Sequence, residues 1–229
     1  MQSKDFSKFL VNISLEQLFV LNKTIPETKY TPIDLSESNA LLNSIDISSS
    51  KKLSTYINKH IKKSNSQVAF GGYLEVRNLY KRSKYFNKQV NEKRNIHLGI
   101  DLWCDANTPI FTPLDATVHS FKNNTNYGDY GPTIILKHII SSVEFYTLYG
   151  HLSLASMQNL EIGMPFKKND KIATLGNAKI NGDYPPHLHF QIIKDIMDYQ
   201  GDYPGVCNKK DIEFYKENCP NPNLLLKLG

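Results

Sequence analysis

Thr133-Ile134-Ile135-Leu136-Lys137-His138 and Val143-Glu144-Phe145-Tyr146-Thr147-Leu148-Tyr149 carry the β-branched and aromatic side chains that strands favour. Outward from them the same texture recurs at Ala116–Phe121, Lys171–Thr174 and Leu188–Ile193. The separators are rich in turn formers: Pro109 and Pro113, the stretch 123–131, Gly163–Asp170 and Gly176–Pro186. Strands this short, joined by turns and not by helices, predict an antiparallel β-sheet core and not alternating βαβ units.

Residues 1 to about 66 read differently. Phe6, Phe9, Leu10 and Ile13 recur at helical spacing, as do Leu53, Tyr56, Ile57 and Ile61. Pro26 and Pro32 break the chain between them, and Leu41, Leu42 and Ile45 suggest another short helix. The expected class is α+β, mostly β. A helical N-terminal appendage (1–66) packs on the main domain (67–229), and a short helix is expected near Asp211–Glu217. Whether the appendage covers a site, docks a partner or only stabilises is open.

At 229 residues and 40% hydrophobic content the chain can bury a core and is not a disordered polymer. The net charge of +5 comes from scattered lysines, densest at Lys51, Lys52, Lys59, Lys62 and Lys63. No stacking aromatics or reading motif accompany them, so a solvated face is expected and a nucleic-acid partner is not. The start lacks a basic head and apolar stretch of a secretory signal, and no run nears the roughly 18 apolar residues of a membrane span. Three cysteines, Cys104, Cys207 and Cys219, form no CxxC pair. Free buried thiols are favoured over a Cys207–Cys219 disulfide, and the expectation is a cytoplasmic protein with no membrane partner.

The chemistry lies in three short motifs: His97-Leu98-Gly99-Ile100-Asp101, Tyr149-Gly150-His151-Leu152 and His187-Leu188-His189. Even separations put His97 with Asp101, and His187 with His189, on one face of an extended segment. Imidazoles and a carboxylate are zinc ligands, and a catalytic zinc keeps three protein ligands and one open position. Four of these groups on one ion would close the site. One histidine of the His187/His189 pair must therefore stand off, and the spacing leaves open which. His151 can serve beside it in proton transfer or oxyanion stabilisation. His60, beside the apolar stripe of its helix, and His119, with no partner motif, read as packed or surface side chains, and His138 reads as structural. Cys104 has the wrong parity to join Asp101. Trp103 and Tyr149 have the right parity to wall a groove.

HxxxD, Tyr-x-His-Leu and HxH followed by Phe, in that order, resemble the M23 metallopeptidase family, the LytM/lysostaphin-type zinc endopeptidases. The likeness runs from His97 to Ile193 through Thr108–Pro113, Gly128–Gly131 and Gly163–Gly176. It implies Zn2+ on His97, Asp101 and His189, with His151 and His187 as non-ligand catalytic histidines. It also implies a peptide or muropeptide substrate. The flanks Gly71–Glu75 with Arg77, Gly201–Gly205 and Cys219–Asn223 are similar to a cytoplasmic subgroup found beside kinase-like and aminotransferase domains. A rival of another class is a non-hydrolytic, zinc-containing peptide-binding or regulatory module. Oligomeric state, scissile bond and the choice of general base are not written in the motifs.

Overall fold

The computed structural model describes residues 3–13, 15–82 and 93–229. In chain order its elements are α1 (Ser3–Asn12), β1 (Tyr30–Pro32), α2 (Ser50–Lys63), β2 (Val68–Gly71), β3 (Ile96–His97), β4 (Ile100–Trp103), β5 (Pro109–Phe111) and β6 (Ala116–Asn124). There follow β7 (Gly131–Ile140), β8 (Val143–Gly150), β9 (Pro165–Phe166), β10 (Lys171–Thr174), β11 (His187–Ile193), β12 (Val206–Cys207), α3 (Ile212–Asn218) and α4 (Asn223–Leu226). The main sheet has eight strands in the order β1-β2-β4-β11-β8-β7-β6-β9. All its pairings are antiparallel except β1 with β2. Two small antiparallel pairs, β5 with β10 and β3 with β12, flank it.

Both faces of the sheet centre are covered, and the strand period of two sorts the side chains between them. Ile134 and Leu136 of β7, Phe145 and Tyr149 of β8, and Leu188, Phe190 and Ile192 of β11 enter one core. Phe6 and Leu10 of α1 and Leu225 and Leu226 of α4 cap that core. Ile135, Tyr146, Leu148 and Ile193 face the other side, against Tyr203, Cys207 and Cys219. His187 and His189 project to this second side, as the alternation in the strand requires.

The 1–66 segment does more than the expected helical packing. It supplies the edge strand β1, with Tyr30, Thr31 and Pro32 in register with Val68, Ala69 and Phe70. The Leu41–Ile45 stretch forms a 3-10 turn over Ala40–Ser44 rather than an α-helix. His60, beside the α2 stripe, places Nε2 2.8 Å from the Pro32 carbonyl oxygen. The lysines of α2 are exposed. Cys104, Cys207 and Cys219 are free thiols. No helix among the described residues is long and apolar enough to cross a membrane.

His138 and His119 take ordinary structural places. His119 is half-buried, with Nδ1 2.8 Å from Ser120 Oγ. His138 is buried; its Nδ1–H donates to the Asp115 carbonyl at 2.9 Å and Nε2 lies 2.8 Å from Thr147 Oγ1. Burial pushes its pKa down from 6.5 to about 4.

Two outcomes follow. Phe6 is 1% exposed and meets Phe145 edge-on at 5.9 Å, so Phe6→Ala should cost about 3–5 kcal/mol, read by denaturant unfolding. Between pH 6.5 and 4 the unfolded chain takes up a proton that folded His138 refuses. Stability should therefore fall across that window by on the order of 3 kcal/mol from this group. The slope of unfolding free energy against pH should be shallower in His138→Gln.

Candidate metal centre

The β4–β11 register sets His189 opposite Asp101, and β8 sets Gly150 opposite His189 on the other flank. Asp101 and His189 therefore share one face of the main sheet, and His151 follows directly from the end of β8. His97 arrives from elsewhere. It lies on β3, paired with Val206 of β12, so His97 and Asp101 occupy two strands rather than one extended segment. Gly99 between them is required by crowding: a Cβ there would lie 2.6 Å from His189 Cε1.

Three atoms converge. His97 Nε2 is 2.9 Å from His189 Nδ1, and each is 3.3 Å from Asp101 Oδ1. Zinc bonds of about 2.0–2.2 Å in a tetrahedron set ligand atoms roughly 3.3–3.6 Å apart. The proton positions sharpen the case. His97 Nδ1 is 3.0 Å from the Gly72 carbonyl oxygen, which only accepts, so Nδ1 carries the hydrogen. Gln191 Nε2 donates to the Pro204 carbonyl at 3.1 Å, which turns Gln191 Oε1 toward His189 Nε2 at 2.9 Å. His189 Nε2 is then the protonated nitrogen.

Two imidazole lone pairs and a carboxylate oxygen thus point at one spot with no proton between them. Burial pushes the His97 pKa down to about 4, against the pull of Asp101, so a second proton does not relieve the clash near neutrality. Asp101 Oδ1 is buried without a hydrogen-bond partner. A buried anion with an orphaned oxygen is costly. A divalent cation among these donors removes the cost, and an N/N/O set with tautomers fixed by outer hydrogen bonds suits zinc.

Asp101 Oδ2 is held separately. Arg77 Nη1 donates to it at 2.6 Å, while Arg77 Nε bonds Glu75 and Nη1 also lies 3.3 Å from Tyr80 Oη. Arg77 is 2% exposed. Burial opposes ionisation of Asp101, but His97, Arg77 and His187 outweigh it and hold the carboxyl well below the usual range. Neither Arg77 nor Gln191 was assigned to the site from the sequence. Gln191 had a signal, since it shares strand parity with His189; Arg77 lies 24 positions upstream of Asp101 with no local pattern.

His151 and His187 stand beside the cluster, ring centroids 4.2 Å apart. His187 Nδ1–H donates to the Pro185 carbonyl at 2.8 Å, and Nε2 lies 3.8 Å from Asp101 Oδ1. His151 Nδ1–H donates to the Asn181 carbonyl at 2.9 Å. Each keeps an unprotonated Nε2. Burial pushes His187 down to about 4 and His151 well below its ordinary value, so both are neutral near pH 7. His151 adopts φ 63°, a left-handed conformation uncommon outside glycine. Hydrogen bonds from its N–H to Tyr130 and from Gly176 to its carbonyl fix it there.

Trp103 walls the site, stacked on His187 at 3.9 Å; Tyr149 is instead buried in the opposite core. Cys104 lies outside the cavity.

Residues 95–202 match the family model for Peptidase family M23. Among solved structures the chain is similar to a zinc containing peptidase from Vibrio cholerae (24% identity, 43% of this chain, 27% of that chain, TM-score 0.35). It is also similar to one from Pseudomonas aeruginosa described as a peptidase M23 (17%, 58%, 44%, 0.39). A third is the catalytic domain of lysostaphin from Staphylococcus simulans (22%, 53%, 80%, 0.37). The chain therefore spans less than half of the first two. No curated protein matches it.

Replacing Arg77 by Met should leave Asp101 free to rotate and lower zinc affinity by roughly 10–100-fold, measured by competition with a chelator of known affinity. Arg77→Lys, which keeps the charge, should recover part of the loss.

Proposed function

With residues 95–202 those of a Peptidase family M23 member, we propose that the chain is a zinc-dependent metallohydrolase that cleaves peptide bonds. The activity belongs to residues 67–229, with 1–66 as an appendage packed on them. The observation that carries this reading is the convergence of His97 Nε2, His189 Nδ1 and Asp101 Oδ1 with no proton to share. In it, His97, Asp101 and His189 hold the ion. Zinc bound there supplies Lewis-acid polarisation of a carbonyl and a water acidified toward a pKa of about 7.

The remaining steps fall to the chain's own side chains. Neutral His187 and His151 accept a proton at Nε2, because each Nδ1 is already committed to a carbonyl. Once protonated, either donates to the oxyanion or to the departing amine. Trp103 stacking fixes the His187 ring plane. Gln191, Gly72 and Arg77 keep the ligand atoms aimed, so little reorganisation is needed during reaction. The family reading is endopeptidase cleavage of peptidoglycan-derived or other small peptides.

The test is metal content by atomic emission beside product detection by mass spectrometry, on muropeptides and a mixed peptide library. His189→Ala and Asp101→Ala should lose zinc and cleavage together. His187→Ala and His151→Ala should keep zinc and lose about 10²–10⁴-fold in kcat. Full turnover in either of the last two would remove it from the chemistry. Zinc-loaded wild-type protein that binds peptides and cuts none is a binding module.

A further inference from the structure

Between the N-terminal segment and the metal-binding cluster lies a turn, residues 72–77, that is bonded on both sides. Toward the cluster it holds two of the three ligands. The Gly72 carbonyl accepts from His97 Nδ1–H at 3.0 Å and from the Glu75 N–H at 3.0 Å, so closure of the turn aims that carbonyl at the imidazole. Leu74 N–H donates to the His97 carbonyl at 2.8 Å, and His97 N–H donates to the Glu75 carbonyl at 3.0 Å. Asp101 is reached by Arg77, whose Nη1 donates to Oδ2 at 2.6 Å. Position 72 requires glycine: its φ is 105°, and a Cβ there would lie 2.0 Å from Arg77 Nη2.

Away from the cluster the turn is held by the strip 33–37, which continues from β1. Ile33 N–H donates to the Phe70 carbonyl at 2.9 Å, and Glu37 N–H donates to the Val76 carbonyl at 2.8 Å. Between them the Leu35 N–H donates to a side chain instead, Glu75 Oε1 at 2.9 Å. Glu75 Oε2 accepts from Arg77 Nε at 2.5 Å. One carboxylate thus bridges the backbone of the strip and the guanidinium that holds a metal-binding residue.

Arg77 is buried between two carboxylates. A guanidinium is planar, so fixing Nε at Glu75 also fixes the direction in which Nη1 points. Removing Glu75 would leave a buried Nε–H unmet and free the plane to turn, and Asp101 Oδ2 would lose a partner of fixed place. The Leu35 bond in turn gives the Glu75 carboxylate its second anchor. We propose that Glu75 is a positioning residue of the metal centre, and that through it docking of residues 33–37 and zinc binding are coupled. The inference rests on the zinc reading of the cluster. Coupling is reciprocal: if the docked strip raises zinc affinity about tenfold, bound zinc holds the strip by the same factor. The strip is then a backbone clamp on the ion, supplied from outside the family-matched residues 95–202.

The experiment uses the full chain. Zinc affinity is measured by competition with a chelator, amide hydrogen exchange is followed with and without zinc, and peptide cleavage is assayed in parallel. Glu75→Ala should weaken zinc binding about tenfold. Glu75→Gln, whose single carboxamide oxygen can face only one of the two donors, should weaken it less. In an Arg77→Met background Glu75→Ala should cost no more than about twofold, because the relay is already cut. Phe6→Ala, which opens the core under α1, should keep wild-type zinc affinity. In the wild-type chain, zinc should slow exchange of the Leu35 amide about tenfold more than that of Gly163, bonded to Val118 near the opposite edge of the sheet. Equal losses from Glu75→Ala in the two backgrounds, or an equal loss from Phe6→Ala, overturn the positioning role. Equal slowing at Leu35 and Gly163 overturns the coupling and leaves the zinc hydrolase standing. The expected affinities and exchange without any cleavage support the coupling and remove the hydrolytic reading. Wild-type protein that binds no zinc overturns the metal centre and this inference with it.

Discussion

The Asp101 carboxylate is the group on which the rest of the site depends. It is an anion removed from water, and its two oxygens are treated differently. Oδ2 is met by the buried Arg77 guanidinium, and Oδ1 faces two imidazole nitrogens that have no proton to offer. An ion pair sealed from solvent recovers its desolvation cost only when every remaining lone pair is met. Arg77 meets half of that demand. The other half fixes where positive charge must come from, and the surrounding backbone is arranged to hold it there.

Sheet register performs most of that arrangement. A one-residue slip of β11 against β4 would turn His187 and His189 into the apolar core now filled by Leu188 and Phe190. Burying two imidazoles there and exposing those apolar side chains would be costly, so core packing and the convergence of His97, Asp101 and His189 favour the same alignment. The carbonyl acceptors at Gly72, Pro185 and Asn181 then set which nitrogen of each ring is free. They come from turns rather than strands, where carbonyls are left over from the ladder.

Much of this was legible in the chain. The β runs at Thr133–His138, Val143–Tyr149 and Lys171–Thr174 reappear as strands with ends moved by two residues or fewer. Strand parity placed Asp101 beside Trp103, and His187 beside His189, because side-chain alternation is a local property. The same parity argument misread His97, which reaches the cluster from a separate two-stranded pair. Strand breaks at Leu98-Gly99 are set by what packs across them, here His189 and the Gly205 carbonyl, and no local pattern encodes that. Arg77 and Glu75 were invisible as site residues for a similar reason. A polar side chain far from its partner in sequence reads as surface until tertiary structure buries it.

The N-terminal segment shows how far such remote contacts extend. Leu35 N–H donates to Glu75 Oε1 at 2.9 Å, and Glu75 in turn holds Arg77 against Asp101. On the apolar side, Leu42, Leu53 and Ile57 share a buried cluster with Trp103 and Tyr184, and Trp103 stacks on His187. Ser50 Oγ adds a bond of 2.7 Å to Asp183, in the loop that leads to β11. None of the described residues before Arg77 lines the cavity. These contacts end on residues that back Asp101 and His187. The described part of the segment thus packs behind the cluster, and loosening it would disturb the aim of Asp101 and His187.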